Sequence, residues 1–394
     1  FELWSNHLAK VNVPIDHPRN LAFVPASPTR AAIMFDLVTS ASSIHGAYWM
    51  EGAGGIFCEN EAMKWMVSLT GLPKGAFGVF TSGGTAANLS AIVAAREYWR
   101  SLNDQNKVEK GLVITSIGAH SSIKAMAKVA DVDILLVNTE DVMYGDELQH
   151  TIDSLTPHQR KRLFAVVGTG GTTNAGIIDD LEGIATICEQ ENLWFHVDGA
   201  YGAPAAILPS MRNTFNGMEE ADSIALDPHK WLYSPLEAGC TLVKNPQHLL
   251  DTYSSHPEYY NFTNPKEGVA QNYYEYGLQN SRGFRALKVW LGLQQAGRSG
   301  YENLIGDDIE LSKRLFATAN QHPELEAVSQ NLSIATFRYI PKDFDTSPPD
   351  SQDCLNKLNE ELLNRIQASG ELFLSNAVVH GKYCLRSCIV NFRT

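Results

Sequence analysis

No apolar run in the 394 residues approaches the roughly 20 that a membrane-crossing helix needs. Positive charge is in deficit, since 31 Lys and Arg face 44 Asp and Glu for a net charge of −13. A surface of that sign repels nucleic acid and anionic lipid, so neither is expected as a partner. Cysteine is scarce, and Cys58, Cys188, Cys240, Cys354, Cys384 and Cys388 lack the paired spacing of metal sites. No metal is expected, and the thiols read as reduced core residues in a cytoplasmic protein. Short repeats, low-complexity tracts and a signal-peptide pattern are also missing. The chain opens in mid-flow at Phe1-Glu2-Leu3-Trp4, so a preceding segment is expected.

The length suffices for one large domain and a smaller one. Residues 1–50 read as an extended arm followed by a helix over Ala31–Ala41, with Met34, Phe35 and Val38 on one side. Asn60–Thr70 reads as a second amphipathic helix. Seven strands are then expected, at Gly78–Thr81, Leu112–Thr115, Ile134–Asn138, Phe164–Gly168, Leu193–Val197, Ser223–Leu226 and Cys240–Val243. Helices intervene at Ala86–Ser101, Ser122–Ala130, Glu147–Leu155 and Leu181–Glu191. Such alternation predicts an α/β fold, a mostly parallel sheet sandwiched by helices, with its site beyond the strand C-terminal ends.

After Lys244 the pattern changes. Residues 253–276 read as a long loop rich in Tyr, Asn and Gly, a type that is usually functional or disordered. Helices at Arg285–Gln295 and Leu304–Asn320 follow, then strands Leu332–Tyr339 and Lys382–Asn391 flanking a helix at Cys354–Ser369. The expected division is a large domain over 51–285 and a smaller α+β domain over 286–394.

Two strand ends carry the chemistry. Ser223–Leu226 meets Asp227-Pro228, which forces a turn and presents His229 and Lys230. Leu193–Val197 ends in Asp198. A lysine amine can condense with the aldehyde of pyridoxal phosphate, while a carboxylate keeps the pyridine nitrogen protonated. A third element, Thr81-Ser82-Gly83-Gly84-Thr85, follows a strand and opens a helix. Its glycines suit a phosphate cradle at a helix N-terminus, although by itself the turn also fits an ordinary helix start capped by Thr85.

His196-Val197-Asp198-Gly199-Ala200-Tyr201 with Asp227-Pro228-His229-Lys230-Trp231-Leu232 resembles the pyridoxal-phosphate decarboxylases of the aromatic amino acid and glutamate decarboxylase family. The resemblance runs from about Pro18 to the C-terminus and implies a fold-type I enzyme, a homodimer that removes carbon dioxide from an L-amino acid. It implies that Lys230 bonds the cofactor covalently and Asp198 pairs with its ring nitrogen. Gly84, Thr85, Ser223 and His229 would surround the phosphate, Ala200 would lie flat against the ring, and Thr173 would reach the ring hydroxyl. Ser223 and Thr173 could instead cap local backbone.

His120 matches the family histidine that stacks on the cofactor and helps to place the substrate carboxylate. Tyr259, ahead of its neighbour Tyr260, matches the loop tyrosine that protonates the α-carbon; phenylalanine there accompanies oxidative deamination to aldehydes. Phe23 and Pro25 would line the substrate pocket, with Phe23 also open to a plain core role. Arg282 matches an arginine near the site and equally a surface charge at a helix start.

An aromatic substrate is the first expectation. Gly199, Asp227 and the Trp49–Gly55 segment depart from the aromatic enzymes, and Arg30 could pair with an acidic side chain. An acidic or diamino acid is therefore the alternative, and transamination another. The chain also stops just after a strand, where the family continues, so part of the small domain is expected to lie beyond Thr394.

Overall fold

The structure, a computed structural model, describes residues 1–24, 26–139, 141–255 and 270–394. Seven short segments pair into one sheet: β1 (Phe77–Thr81), β2 (Leu112–Ser116), β3 (Asp133–Val137), β4 (Leu163–Thr169), β5 (Trp194–Asp198), β6 (Ser223–Leu226) and β7 (Gly239–Val243). Their order is β1-β7-β6-β5-β4-β2-β3. β7 runs antiparallel to β1 and β6, and the remaining pairs are parallel. The mostly parallel sheet is thus present, with one reversed strand.

Continuous apolar strands follow from burial on both faces, as in β4, where every residue is buried. The helices of this part are α1 (Arg30–Ser42), α2 (Trp49–Thr70), α3 (Gly84–Leu102), α4 (Ser121–Ala130), α5 (Gly145–Asp153), α6 (Pro157–Arg162), α7 (Leu181–Glu191) and α8 (Gln247–Tyr253). Ile92 and Trp99 of α3 and Ile123 and Met126 of α4 pack with Val113, Ala165, Val167 and Trp194 on one face. Met63 and Met66 of α2, Leu148 and Ile152 of α5 and Ile184 of α7 join Ile114, Val166, Phe195 and Val197 on the other. Side chains alternate along β5, so Trp194, His196 and Asp198 share the α3 face. That alternation decides how the site is built.

Beyond the sheet lie α9 (Ala286–Gln321), β8 (Leu325–Asn331), β9 (Ile334–Tyr339), α10 (Ser351–Ser369), β10 (Ser375–Val379) and β11 (Lys382–Cys388). The four strands form an antiparallel sheet, β10-β11-β9-β8. Sequence reading finds only two of them, because β8 is half-buried throughout and β10 carries just two buried residues. The two helices expected over 285–320 are one, broken at Gly297, whose φ of 61° is open to glycine. α2 likewise begins earlier than expected and kinks at Gly52.

The N-terminal arm reaches this smaller sheet. Leu21 N–H donates to Phe373 O at 2.8 Å, and Cys388 N–H donates to Leu21 O at 2.8 Å. α1 packs on α9, leaving Met34 66 % and Leu37 71 % exposed on its outer side. No helix among the described residues is long and apolar enough to cross a membrane.

Candidate active site

β1, β5 and β6 point the same way and end at one edge of the sheet, where Thr81 faces Gly239 and Asp198 lies beside Ala225. The segments that follow them line a cavity of about 430 Å³. Gly83, Gly84, Thr85, His120, Thr173, Asp198, Ala200, His229 and Lys230 all contribute to its wall.

The cradle is the turn into α3. Gly83 has φ +157° and supplies no side-chain cap, so the first-turn amides of a 19-residue helix are left for another acceptor. A methyl group at Gly84 would come within 2.9 Å of Asp227 Oδ2 and 3.0 Å of Ala200 Cβ. Only bare backbone fits there, at the positive end of the helix dipole.

Asp198 forms the floor. It is 7 % exposed, accepting from Asn88 Nδ2 at 3.0 Å and Ala200 N–H at 3.2 Å. Buried carboxylates are retained when donors surround them. Across the cavity Lys230 Nζ lies 3.1 Å from Asp227 Oδ2. Asp227 Oδ1 is buried with no hydrogen-bond partner among the described residues. His229 Nδ1 accepts from Ala238 N–H at 3.0 Å, and burial lowers its pKa.

The lysine turn is braced from below. Trp231 Nε1–H and Tyr233 O–H both donate to buried Asp308, at 2.9 and 2.6 Å. Tyr201, which lines the cavity, stacks on Trp231 with centroids 5.1 Å apart. His120 is the N-cap of α4, its Nδ1 accepting from Ser122 N–H at 3.2 Å. The residue stands exposed at the rim, yet the protein around it lowers its pKa by desolvation, with Asp198 opposing.

Four expectations need correction. Ser223 does not reach the phosphate end. It begins β6, four residues before Asp227, and a strand of that length spans about 13 Å. Its hydroxyl is buried between Trp194 Nε1 and His196 Nδ1, each at 2.8 Å. Arg282 is not free for substrate: it is buried against Glu59, with Nη2 2.6 Å from Oε1, and also bonds Phe80 O. Phe23 lies 63 % exposed beside Phe373 rather than in this cavity. Arg30 is also exposed and outside the cavity wall. Pro25, Tyr259 and Tyr260 lie outside the described residues.

Asn88, Ser122, Tyr201 and Asp227 are wall residues to which sequence reading gives no role. Asn88 could have been found: it lies one helical turn after Gly84, on the side of α3 that faces the cradle.

An amine, a buried acceptor for a ring N–H and a side-chain-free helix N-terminus in one cavity define a pyridoxal phosphate site on an α/β sheet. The donor set fits that cofactor at each of its three polar positions. The family model of the pyridoxal-dependent decarboxylase conserved domain matches residues 6–340. An aromatic-L-amino-acid decarboxylase of Bacillus atrophaeus is 34% identical over 390 residues, 96% of this chain and 78% of that protein. A phenylacetaldehyde synthase of a Rosa hybrid cultivar is 28% identical over 403 residues, 98% of this chain and 78% of that protein. The fold is shared with Oryza sativa TDC, solved with PLP and tryptamine. There the TM-score is 0.92 at 24% identity, over 98% of this chain and 82% of that one. The chain belongs to the pyridoxal-dependent decarboxylase family, and its cofactor is pyridoxal phosphate.

Proposed function

We propose that this chain converts an aromatic L-amino acid to its amine and carbon dioxide, working as a homodimer. The observation that carries the reading is the convergence of Lys230, Asp198 and the α3 N-terminus on one cavity. Pyridoxal phosphate supplies an aldehyde for the substrate amino group and a protonated ring that accepts the electron pair left by carbon dioxide.

The side chains take the following parts. Lys230 would hold the cofactor through its aldehyde carbon. Asp198, already ringed by donors, holds a proton on the ring nitrogen. Gly84, Thr85 and His229 bind the phosphate, Ala200 leaves room for the ring, and Thr173 reaches its hydroxyl. His120, with Nδ1 committed to Ser122, keeps Nε2 for the substrate carboxylate and would help to position it. Tyr259 gives the proton to the α-carbon once the site has excluded water.

Two observations support an aromatic substrate and a dimer. Among the described residues no arginine lines the cavity, so a side-chain carboxylate finds no guanidinium there. The outer side of α1 is apolar and exposed at Ile33, Met34, Leu37 and Val38, a surface that a second copy would cover. The experiment is a panel of tryptophan, tyrosine, phenylalanine, aspartate, glutamate and diaminobutyrate, with amine, keto acid and carbon dioxide all measured. Amine and carbon dioxide from an aromatic member are expected. Preference for an acidic substrate, or keto acid as product, would overturn the reading.

A further inference from the structure

Asp198 stands at one end of a buried row of side chains whose hydrogens can be assigned in only one way. As an ionised carboxylate it can only accept, so Asn88 must present its amide nitrogen, 3.0 Å away. The same nitrogen gives its second hydrogen to Ser122 Oγ at 3.0 Å. Asn88 Oδ1 therefore faces His196 Nε2 at 2.9 Å, and that nitrogen must carry a hydrogen. Burial pulls the His196 pKa down to about 4, so the ring is neutral and Nδ1 is bare.

Nδ1 then accepts from Ser223 O–H at 2.8 Å. Ser223 in turn accepts at 2.8 Å from the Trp194 indole, which can only donate. Every bond in the row points the same way, from Trp194 through Ser223, His196 and Asn88 to Asp198. Asn88, His196 and Ser223 are fully buried, so no water competes for these positions. Aligned bonds in a region of low dielectric polarise one another toward the charged end.

We propose that His196 is a positioning residue for the cofactor: by donating to Asn88 it fixes the amide so that Asp198 remains a charged acceptor facing the cavity. Without that donor, Asn88 Oδ1 is left buried without a hydrogen, and the amide is held against Asp198 and Ser122 by its nitrogen alone. The inference rests on Asp198 serving the cofactor nitrogen, but the hydrogen assignment itself does not depend on any cofactor.

Two measurements test it. In nitrogen-15 histidine spectra of the full chain at pH 7, His196 is expected as the neutral ring protonated at Nε2. Its signal is identified by its loss in His196→Gln. A ring protonated at Nδ1, or at both nitrogens, would overturn the assignment.

The second measurement is the dissociation constant for pyridoxal phosphate. Glutamine can place an N–H where His196 Nε2 lies, whereas leucine cannot. His196→Leu should bind at least about tenfold more weakly than wild type, the loss expected for a hydrogen bond serving a charged group. His196→Gln should stay close to wild type. Equal affinity in the two variants would overturn the proposal. Failure of the wild-type chain to bind the cofactor would instead count against the site reading, while the spectra would still decide which way the bonds of the row point.

Discussion

Asp227 Oδ2 and Lys230 Nζ stand 3.1 Å apart, so the amine proposed to bond the cofactor is already paired with a carboxylate on its own turn. That carboxylate also borders the cradle, beside Gly84. Before an anionic phosphate arrives, one negative charge is therefore already in place. Asp227→Asn removes the charge with little change of shape. Pyridoxal phosphate should then bind several-fold more tightly in a fluorescence titration, as expected for relief of like-charge repulsion. Weaker binding would show that the carboxylate itself is required by the cofactor.

Arg282 and Glu59 form an ion pair buried on both sides. Removing one member of such a pair leaves an uncompensated charge and costs about 3–5 kcal/mol. Arg282→Met should lower unfolding stability by that amount in denaturant titrations. KM for the amino acid should stay near wild type in the folded fraction. A raised KM without lost stability would return Arg282 to the substrate site.

Asp308 links the lysine turn to pH. Burial raises its pKa from 3.8 to about 7, against the pull of Tyr233 and Trp231. The folded state thus holds this proton more tightly than the unfolded chain does. The stability contributed by Asp308 is complete below about pH 4 and is lost as pH rises to about 7. Asp308→Asn keeps an acceptor for Trp231 and Tyr233 but cannot ionise. In urea titrations the variant should gain on wild type across this interval, by a gap that widens as pH rises. A gap independent of pH would contradict the assignment.

Tyr259 rests on the sequence motif alone. If it protonates the α-carbon, Tyr259→Phe should shift product from amine toward aldehyde, with oxygen consumed and ammonia and peroxide released. Tyr260→Phe should leave the ratio unchanged. Chromatography of amine and aldehyde, with an oxygen electrode, decides between them.

The sheet was legible because its strands are buried on both faces, so runs such as Phe164–Gly168 read as unbroken apolar segments. Asp198 and Lys230 were legible because the first ends such a run and the second follows one across a turn forced by Asp227-Pro228. What sequence could not supply was direction and distance. Ser223 shares a strand with the lysine turn but lies at its far end, and only strand length distinguishes the two. The partner of Arg282 is 223 residues away and carries no local signal. β8 and β10 were missed because partial burial leaves no clean alternation. The role of His196 was hidden within a recognised motif, since its partners come from α3 and β6.

The proposed reaction depends on a covalent link between Lys230 and the cofactor aldehyde. Borohydride reduction of the loaded enzyme fixes that link, and peptide mass analysis locates it. The pyridoxyl group should be found on the peptide carrying Lys230, and Lys230→Ala should lose both the adduct and the visible absorption band. An adduct on another lysine, or a band that survives Lys230→Ala, would contradict the central claim.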